Sequence, residues 1–128
     1  MSVRQRAVLI VEDELVITLD LERAIMDAGG YPVGPATTVS GALRLLNVER
    51  VDGAILDVNL RGEDVTPVVE TLLDRGIPFI FHTGAGVPSG LHQRCPDTPV
   101  HTKPVAPEML IDSLGALFSK GEERPAAA

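Results

Sequence analysis

Short apolar runs alternate along this chain with longer segments in which apolar residues recur at helical spacing. The runs at 7–11 and 53–58 are rich in branched apolar residues, which is typical of buried strands. Between them, segment 14–28 carries apolar residues at helical spacing and ends at Gly29, a helix stop signal. Because strands that alternate with helices form parallel sheets covered on both faces, the sequence predicts a doubly wound α/β fold.

The same two patterns extend over most of the chain. Strands are predicted at 7–11, 31–37, 53–58, 77–84 and 98–104, and helices at 14–28, 39–49, 63–75 and 107–118. The two prolines of 31–37 suit only an edge strand. Glycines and prolines crowd 84–97, so a fourth helix there is expected to be short or mobile. The tail 120–128 is expected to be solvated and flexible.

Length and charge narrow the range of functions. The 128 residues predict a single domain, 1–128, with a core at about 6–119. A net charge of −7 with scattered basic residues argues against direct binding to nucleic acid. The sequence has no apolar run of membrane-spanning length and no signal-peptide cleavage pattern, so no membrane association and a cytoplasmic location are expected.

Polar residues with chemical potential fall at the ends of the predicted strands. Glu12 and Asp13 end the first strand, Asp57 ends the third, and Thr83 and Lys103 follow the fourth and fifth. In open parallel sheets, sites form at the carboxyl ends of the strands. With the strand order 2-1-3-4-5, Asp13 and Asp57 would be neighbours and Glu12 would lie close behind them.

Three carboxylates in one cleft repel one another unless a proton or a cation neutralises them. Oxygen ligands of this kind favour Mg²⁺, with Mn²⁺ as a possible substitute. We interpret Glu14 instead as a first-turn acid that favours the helix dipole. With Lys103 and Thr83 added, the set suits phosphoryl transfer, in which a carboxylate attacks phosphorus while cations offset the charge on its oxygens. No zinc-like spacing relates the three histidines and Cys95.

The segments "VLIVEDE", "AILDVNL", "FIFHTG" and "HTKP" resemble the four signature segments of response-regulator receiver domains, in order and at fitting spacing. The resemblance covers about residues 6–119 and implies a flavodoxin-like fold. It implies that a histidine kinase or a histidine phosphotransfer protein phosphorylates Asp57. It implies that Asp13 and Asp57 bind Mg²⁺ directly, together with the backbone carbonyl of Asn59, and that Glu12 acts through water. It also implies that Thr83 provides a switch hydroxyl and that Lys103 pairs with the phosphate.

This sequence also departs from the family pattern. Val100 stands where the family usually has an aromatic switch residue, so coupling through a rotating ring is not expected here. The segment "PFIFHTGAG" is similar to the "PFxFxTG" segment of stand-alone receivers, in which the region after the fourth strand carries the response. The resemblance further implies a cis Lys103–Pro104 peptide and a downstream target protein. It also leaves open a homodimer through the face of strand five, helix four and helix five.

Two other readings compete with a phosphorylated receiver. One is a pseudo-receiver, an interaction module without phosphoryl chemistry. The other is a phosphatase of the haloacid-dehalogenase type, but those enzymes carry D-x-D after their first strand, whereas "DVN" follows the third strand here. We therefore expect a signalling protein that catalyses only its own phosphorylation and dephosphorylation.

Overall fold

A computed structural model describes residues 2–122 of the chain. In this part the strands are β1 (Ala7–Val11), β2 (Tyr31–Ala36), β3 (Gly53–Leu56), β4 (Asn59–Leu60), β5 (Glu63–Asp64), β6 (Phe79–Thr83) and β7 (Val100–Thr102). The helices are α1 (Leu15–Asp27), α2 (Val39–Val48), α3 (Thr66–Asp74), α4 (Ser89–Arg94) and α5 (Pro107–Glu122).

Among the described residues, five strands form one parallel sheet in the order β2-β1-β3-β6-β7. The two-residue strands β4 and β5 pair with each other in a separate antiparallel hairpin. Without that hairpin, the order along the sheet is the predicted 2-1-3-4-5. The prediction of a doubly wound, flavodoxin-like α/β fold is therefore confirmed.

The core has two layers because successive side chains of a strand point to opposite faces of the sheet. Leu9 and Leu56 face the layer of α2 and α3, whereas Ile10 and Ile55 face the layer of α1 and α5. All four side chains are buried. Burial on both faces explains why these strands are continuous apolar runs rather than alternating patterns.

Strand β2 lies at an edge of the sheet and contains two prolines, as predicted. The Tyr31 amide donates to the Arg6 carbonyl at 2.9 Å. Because alternate residues of a strand direct their backbone groups to opposite sides, Pro32 occupies an outward-facing position where no partner strand needs its amide. Two X-Pro peptides are cis, Gly34–Pro35 and Lys103–Pro104, and the second was expected from the resemblance.

Three strands are shorter than predicted, since 53–58, 77–84 and 98–104 become β3, β6 and β7, and two helices differ more clearly. Helix α3 begins at Thr66 rather than at residue 63, because residues 59–64 form the β4–β5 hairpin. Helix α5 continues to Glu122, beyond its predicted end at residue 118, so residues 120–122 of the predicted tail are helical. Their flexibility stays a prediction. An ion pair between Glu122 and Arg6 ties this last turn to the start of the chain. Residues 123–128 lie outside the described part. The short fourth helix was predicted correctly.

No helix within residues 2–122 is long and apolar enough to cross a membrane.

The close approach of α5 to β3 requires a glycine at position 53. A Cβ atom added to Gly53 would lie 2.6 Å from the ring of Phe118. We therefore expect Gly53→Ala to lower the free energy of unfolding by about 1–3 kcal/mol, measured by urea denaturation. Gly90→Ala is the matched control, since its Cβ would meet nothing within 4 Å and alanine favours a helix. Equal effects of the two substitutions would contradict this account.

Candidate functional site

The predicted site residues come together at the carboxyl end of the sheet. Asp13 follows β1, Asp57 follows β3, Thr83 ends β6 and Lys103 follows β7. They share an open cavity of about 480 Å³, which is lined by Asp13, Glu14, Asp57, Asn59, Arg61, Thr83, Gly84, Ala85 and Lys103. The parallel register of the strands creates this cluster, because it brings four strand ends to the same edge.

The ammonium group of Lys103 lies at the centre of the acidic cluster. Its Nζ is 3.0 Å from a carboxylate oxygen of Glu12, 3.0 Å from one of Asp57 and 3.4 Å from one of Glu14. Burial by itself lowers the pKa of Lys103. The hydrogen bonds to Glu12 and Asp57 outweigh that effect and raise the pKa above its ordinary value. Lys103 is therefore a fixed positive charge at neutral pH.

The Glu12 carboxylate is almost fully buried and has a partner on each oxygen. Oε1 pairs with Lys103, and Oε2 accepts the backbone amides of Asp13 and Glu14 at 3.1 and 3.2 Å. Burial raises the pKa of Glu12 to about 7, and the nearby Asp57 carboxylate adds to this rise, although Lys103 opposes it. Glu12 thus fixes the turn from β1 into α1 as well as the position of Lys103.

Asp57 is held in one orientation by two donors. Its Oδ1 accepts the amide of Asn59 at 3.1 Å, and its Oδ2 accepts Lys103 at 3.0 Å. The Asp57 residue is 5% exposed, yet it lines the cavity. A carboxylate that is immobilised, largely desolvated and open on one side is suited to nucleophilic attack on a ligand in the cavity.

The donor set fits a hard divalent cation. Glu12, Asp13 and Asp57 each offer a carboxylate oxygen, and these oxygens lie within 4.8 Å of one another. Asn59 lines the same cavity, and its side-chain oxygen accepts the amide of Gly62 at 2.8 Å. An all-oxygen set with an open side suits Mg²⁺, which keeps several of its waters. Metal ligation by the Asn59 carbonyl and by Glu12 through water stays a prediction.

Thr83 connects the cavity to the loop after β6. Its buried hydroxyl donates to the Gly86 carbonyl at 3.2 Å and accepts the Ala85 amide at 3.3 Å. The loop that it holds contains Gly84 and Gly86, and Gly86 has a φ of 84°. A change in the partner of this hydroxyl would therefore act directly on a loop of low intrinsic stiffness.

Two charged residues at the rim were not predicted as site residues. Glu14 precedes α1, as expected for an acid at a helix start, but its side chain makes no capping hydrogen bond and reaches Lys103 instead. Arg61 lies in the hairpin turn, and its Nε is 3.4 Å from Oδ2 of Asp13. Arg61 could have been placed at the site only from the two-residue turn at 61–62. That turn can be identified only after the hairpin has been recognised.

His82 is a buried polar residue on the opposite face of β6 from Thr83. It is 4% exposed, and neither ring nitrogen has a hydrogen-bond partner within residues 2–122. Burial lowers the pKa of His82, and the positive charge of Lys103 lowers it further. The other histidine beside the site, His101, has a partner, since its Nε2 lies 2.8 Å from the Ser113 hydroxyl.

A leucine at position 82 is expected to stabilise the fold. Leaving two buried nitrogens without partners costs about 1–3 kcal/mol, so His82→Leu should raise the free energy of unfolding by up to that amount at pH 8. Because the folded-state pKa of His82 is lowered, its contribution to stability is present above its unfolded pKa of 6.5 and is lost as the pH falls. The gain from His82→Leu should therefore be larger at pH 5.5 than at pH 8, measured by urea denaturation. A gain independent of pH would contradict the burial of a neutral imidazole.

Comparison with solved structures identifies the class of protein. SdrG from Sphingomonas melonis Fr1 is 43% identical to this chain, with 92% of this chain and 99% of that chain covered and a TM-score of 0.76. The BeF3-activated conformation of SdrG from Pseudomonas melonis Fr1 is 40% identical, covers 91% and 95% of the two chains, and has a TM-score of 0.67.

A CheY-like receiver domain protein from Methanospirillum hungatei JF-1 is 22% identical, covers 92% of this chain and 97% of that chain, and has a TM-score of 0.81, which supports the fold. No protein-family model and no curated protein sequence matched the chain. With the strand order and the strand-end residues already established, the chain belongs to the response-regulator receiver domains.

Proposed function

We propose that this receiver accepts a phosphoryl group on Asp57 from the phosphohistidine of a histidine kinase or a histidine phosphotransfer protein, in a reaction that requires Mg²⁺. The observation that carries the proposal is the 3.0 Å contact between Lys103 and Asp57, in a cavity that also holds Asp13. A fixed ammonium beside a fixed carboxylate lies where charge builds up during phosphoryl transfer.

In the proposed step, an oxygen of Asp57 attacks phosphorus and forms the new P–O bond. The P–N bond to the donor histidine breaks, and its electron pair leaves with the imidazole. With a proton on its other ring nitrogen, the donor imidazole leaves as a neutral group. The phosphoryl oxygens keep the two negative charges that they carried on the donor, and Lys103 can then pair with them in place of the carboxylate. Asp57 needs no reorientation for this step, because Asn59 and Lys103 already hold it.

Asp13 and Asp57 would hold the metal directly, with the carbonyl of Asn59 and a water on Glu12 completing the set. Bound there, Mg²⁺ supplies positive charge that offsets the phosphoryl oxygens. The charge balance of the site supports this role. Four carboxylates (Glu12, Asp13, Glu14 and Asp57) face two cations (Lys103 and Arg61), which leaves two formal negative charges when Glu12 is ionised and one when it is protonated.

The proposed switch lies in the loop held by Thr83. A phosphoryl oxygen on Asp57 would compete with the Gly86 carbonyl for the Thr83 hydroxyl, and loss of that bond would free the loop that leads into α4. Val100 on β7 is 39% exposed and offers no ring that could follow the hydroxyl inward. The proposed output is therefore a rearrangement of the β6–α4 loop rather than the rotation of an aromatic side chain.

The first two turns of α1 offer a docking face for the phosphoryl donor. Leu15, Val16 and Leu19 are 69%, 71% and 55% exposed, and they follow directly after the site residues. Apolar side chains grouped on a surface mark contact sites for other proteins. We place the donor there and a downstream target protein on the face of β7, α4 and α5, where a homodimer would also form. The proposed setting is the cytoplasm.

The competing functions differ in their turnover. A pseudo-receiver would take up no phosphate, although the Lys103–Asp57 contact then has no evident use. A haloacid-dehalogenase-type phosphatase would release phosphate from many monoesters. We propose that the chain is no enzyme in that sense and catalyses only its own phosphorylation and dephosphorylation.

Incubation with acetyl phosphate and Mg²⁺ is expected to add one phosphoryl group per chain, measured as intact mass. Asp57→Asn should abolish the adduct, because an amide nitrogen or oxygen replaces the nucleophilic carboxylate. Lys103→Ala should slow the reaction about 10²- to 10³-fold through loss of the charge that faces the phosphoryl oxygens. Addition of excess EDTA should prevent the reaction in every variant.

Either of two results would contradict the proposal: an adduct that persists in Asp57→Asn, or no adduct in a folded wild-type chain. Release of many phosphates per chain from phosphomonoesters would favour the phosphatase instead.

Calorimetric titration with Mg²⁺ tests the acidic cluster separately from phosphorylation. Asp13→Ala should remove the binding heat, because it deletes one of the two carboxylates proposed to hold the ion directly. Asp74→Ala is the matched control, since Asp74 is an exposed acid at the end of α3. Equal binding by wild type and Asp13→Ala would show that the ion binds elsewhere.

A further inference from the structure

We propose that Arg61 is a tethered cation that competes with Mg²⁺ for Asp13 and so raises the Mg²⁺ concentration at which the site fills. The inference rests on the metal binding that is part of the proposed function. It starts from the 3.4 Å contact between Nε of Arg61 and Oδ2 of Asp13. A guanidinium and a metal ion cannot both hold the same carboxylate oxygen at close range.

The two cations of the site differ in their freedom to move. The side chain of Lys103 is 14% exposed and contacts three carboxylates, whereas that of Arg61 is 76% exposed and contacts Asp13 alone among the ion pairs of the described residues. Exposed ion pairs contribute little net stability, because solvent screens them and the side chain loses freedom. Arg61 can therefore leave Asp13 at small cost, whereas Lys103 is held in place by its three carboxylate contacts.

The backbone conformation of the β4–β5 hairpin places Arg61 beside Asp13. The turn of the β4–β5 hairpin consists of Arg61 and Gly62, whose φ angles are 51° and 86°. Such two-residue turns favour asparagine, aspartate or glycine at both central positions, so arginine is an unusual occupant. Leu60, fully buried, anchors one side of the turn, and the Gly62 amide donates to the Asn59 side chain at 2.8 Å.

Competition follows from these contacts. Without a divalent ion, Arg61 neutralises part of the charge on Asp13, which stabilises the metal-free form of the site. Binding of Mg²⁺ must first displace the guanidinium, so its apparent affinity is reduced by the free energy of the Arg61–Asp13 pair. A displaced side chain returns to solvent, where it is already mostly located.

The test is a calorimetric Mg²⁺ titration of wild type, Arg61→Ala, Arg61→Lys and Arg44→Ala. Arg61→Ala should lower the dissociation constant roughly 1.5- to 5-fold, the range expected for an exposed ion pair. Arg61→Lys keeps the charge and should remain near wild type. Arg44→Ala makes the same change in net charge at an exposed position of α2. It should leave the constant unchanged.

Salt dependence separates a charge effect from a structural one. At about 1 M NaCl the Debye length falls to roughly 3 Å, so the difference between wild type and Arg61→Ala should shrink. Similar constants for all four proteins at low salt would overturn the inference while leaving the proposed metal site intact. Absence of binding heat in all four would overturn the metal site as well, and the inference with it.

Discussion

The contact of one ammonium group with three carboxylates is the interaction on which the site depends. Lys103, at the end of β7, reaches Glu12 after β1, Asp57 after β3 and Glu14 before α1. It therefore links segments that are far apart in the chain across the carboxyl edge of the sheet. The acids would repel one another without it, and their close approach gathers carboxylate oxygens of the kind that a divalent cation prefers.

The sheet was predictable because its central strands are buried on both faces. Continuous apolar runs such as 7–11 have few alternatives to a parallel strand, and the strand ends then determine which polar residues meet. Asp13, Asp57, Thr83 and Lys103 were found in this way without knowledge of any side-chain contact. Their proximity is confirmed, whereas their chemical roles stay predictions.

The parts that sequence reasoning missed depend on tertiary contacts or rare backbone conformations. The hairpin at 59–64 turns on Arg61 in a left-handed conformation that its residue type does not suggest. The last turn of α5 brings Glu122 to Arg6, 116 positions away in the chain, and a contact of this kind cannot be predicted from the local pattern. Glu14 precedes α1, as the helix-start pattern predicts, but its side chain contacts Lys103 rather than the helix. In each case the local sequence pattern did not predict a contact with a distant charged residue or the conformation of a turn.

The prolines of β2 have a consequence for how this protein meets its partners. A sheet edge with regularly spaced free amides invites another strand to add to it, and Pro32 removes a donor from the outward side of this edge. Main-chain strand addition at β2 is thereby disfavoured, both for a signalling partner and for a second misfolded copy. A partner that meets this edge is left to bind side chains rather than the main chain, and the opposite edge, β7, is the one without a proline.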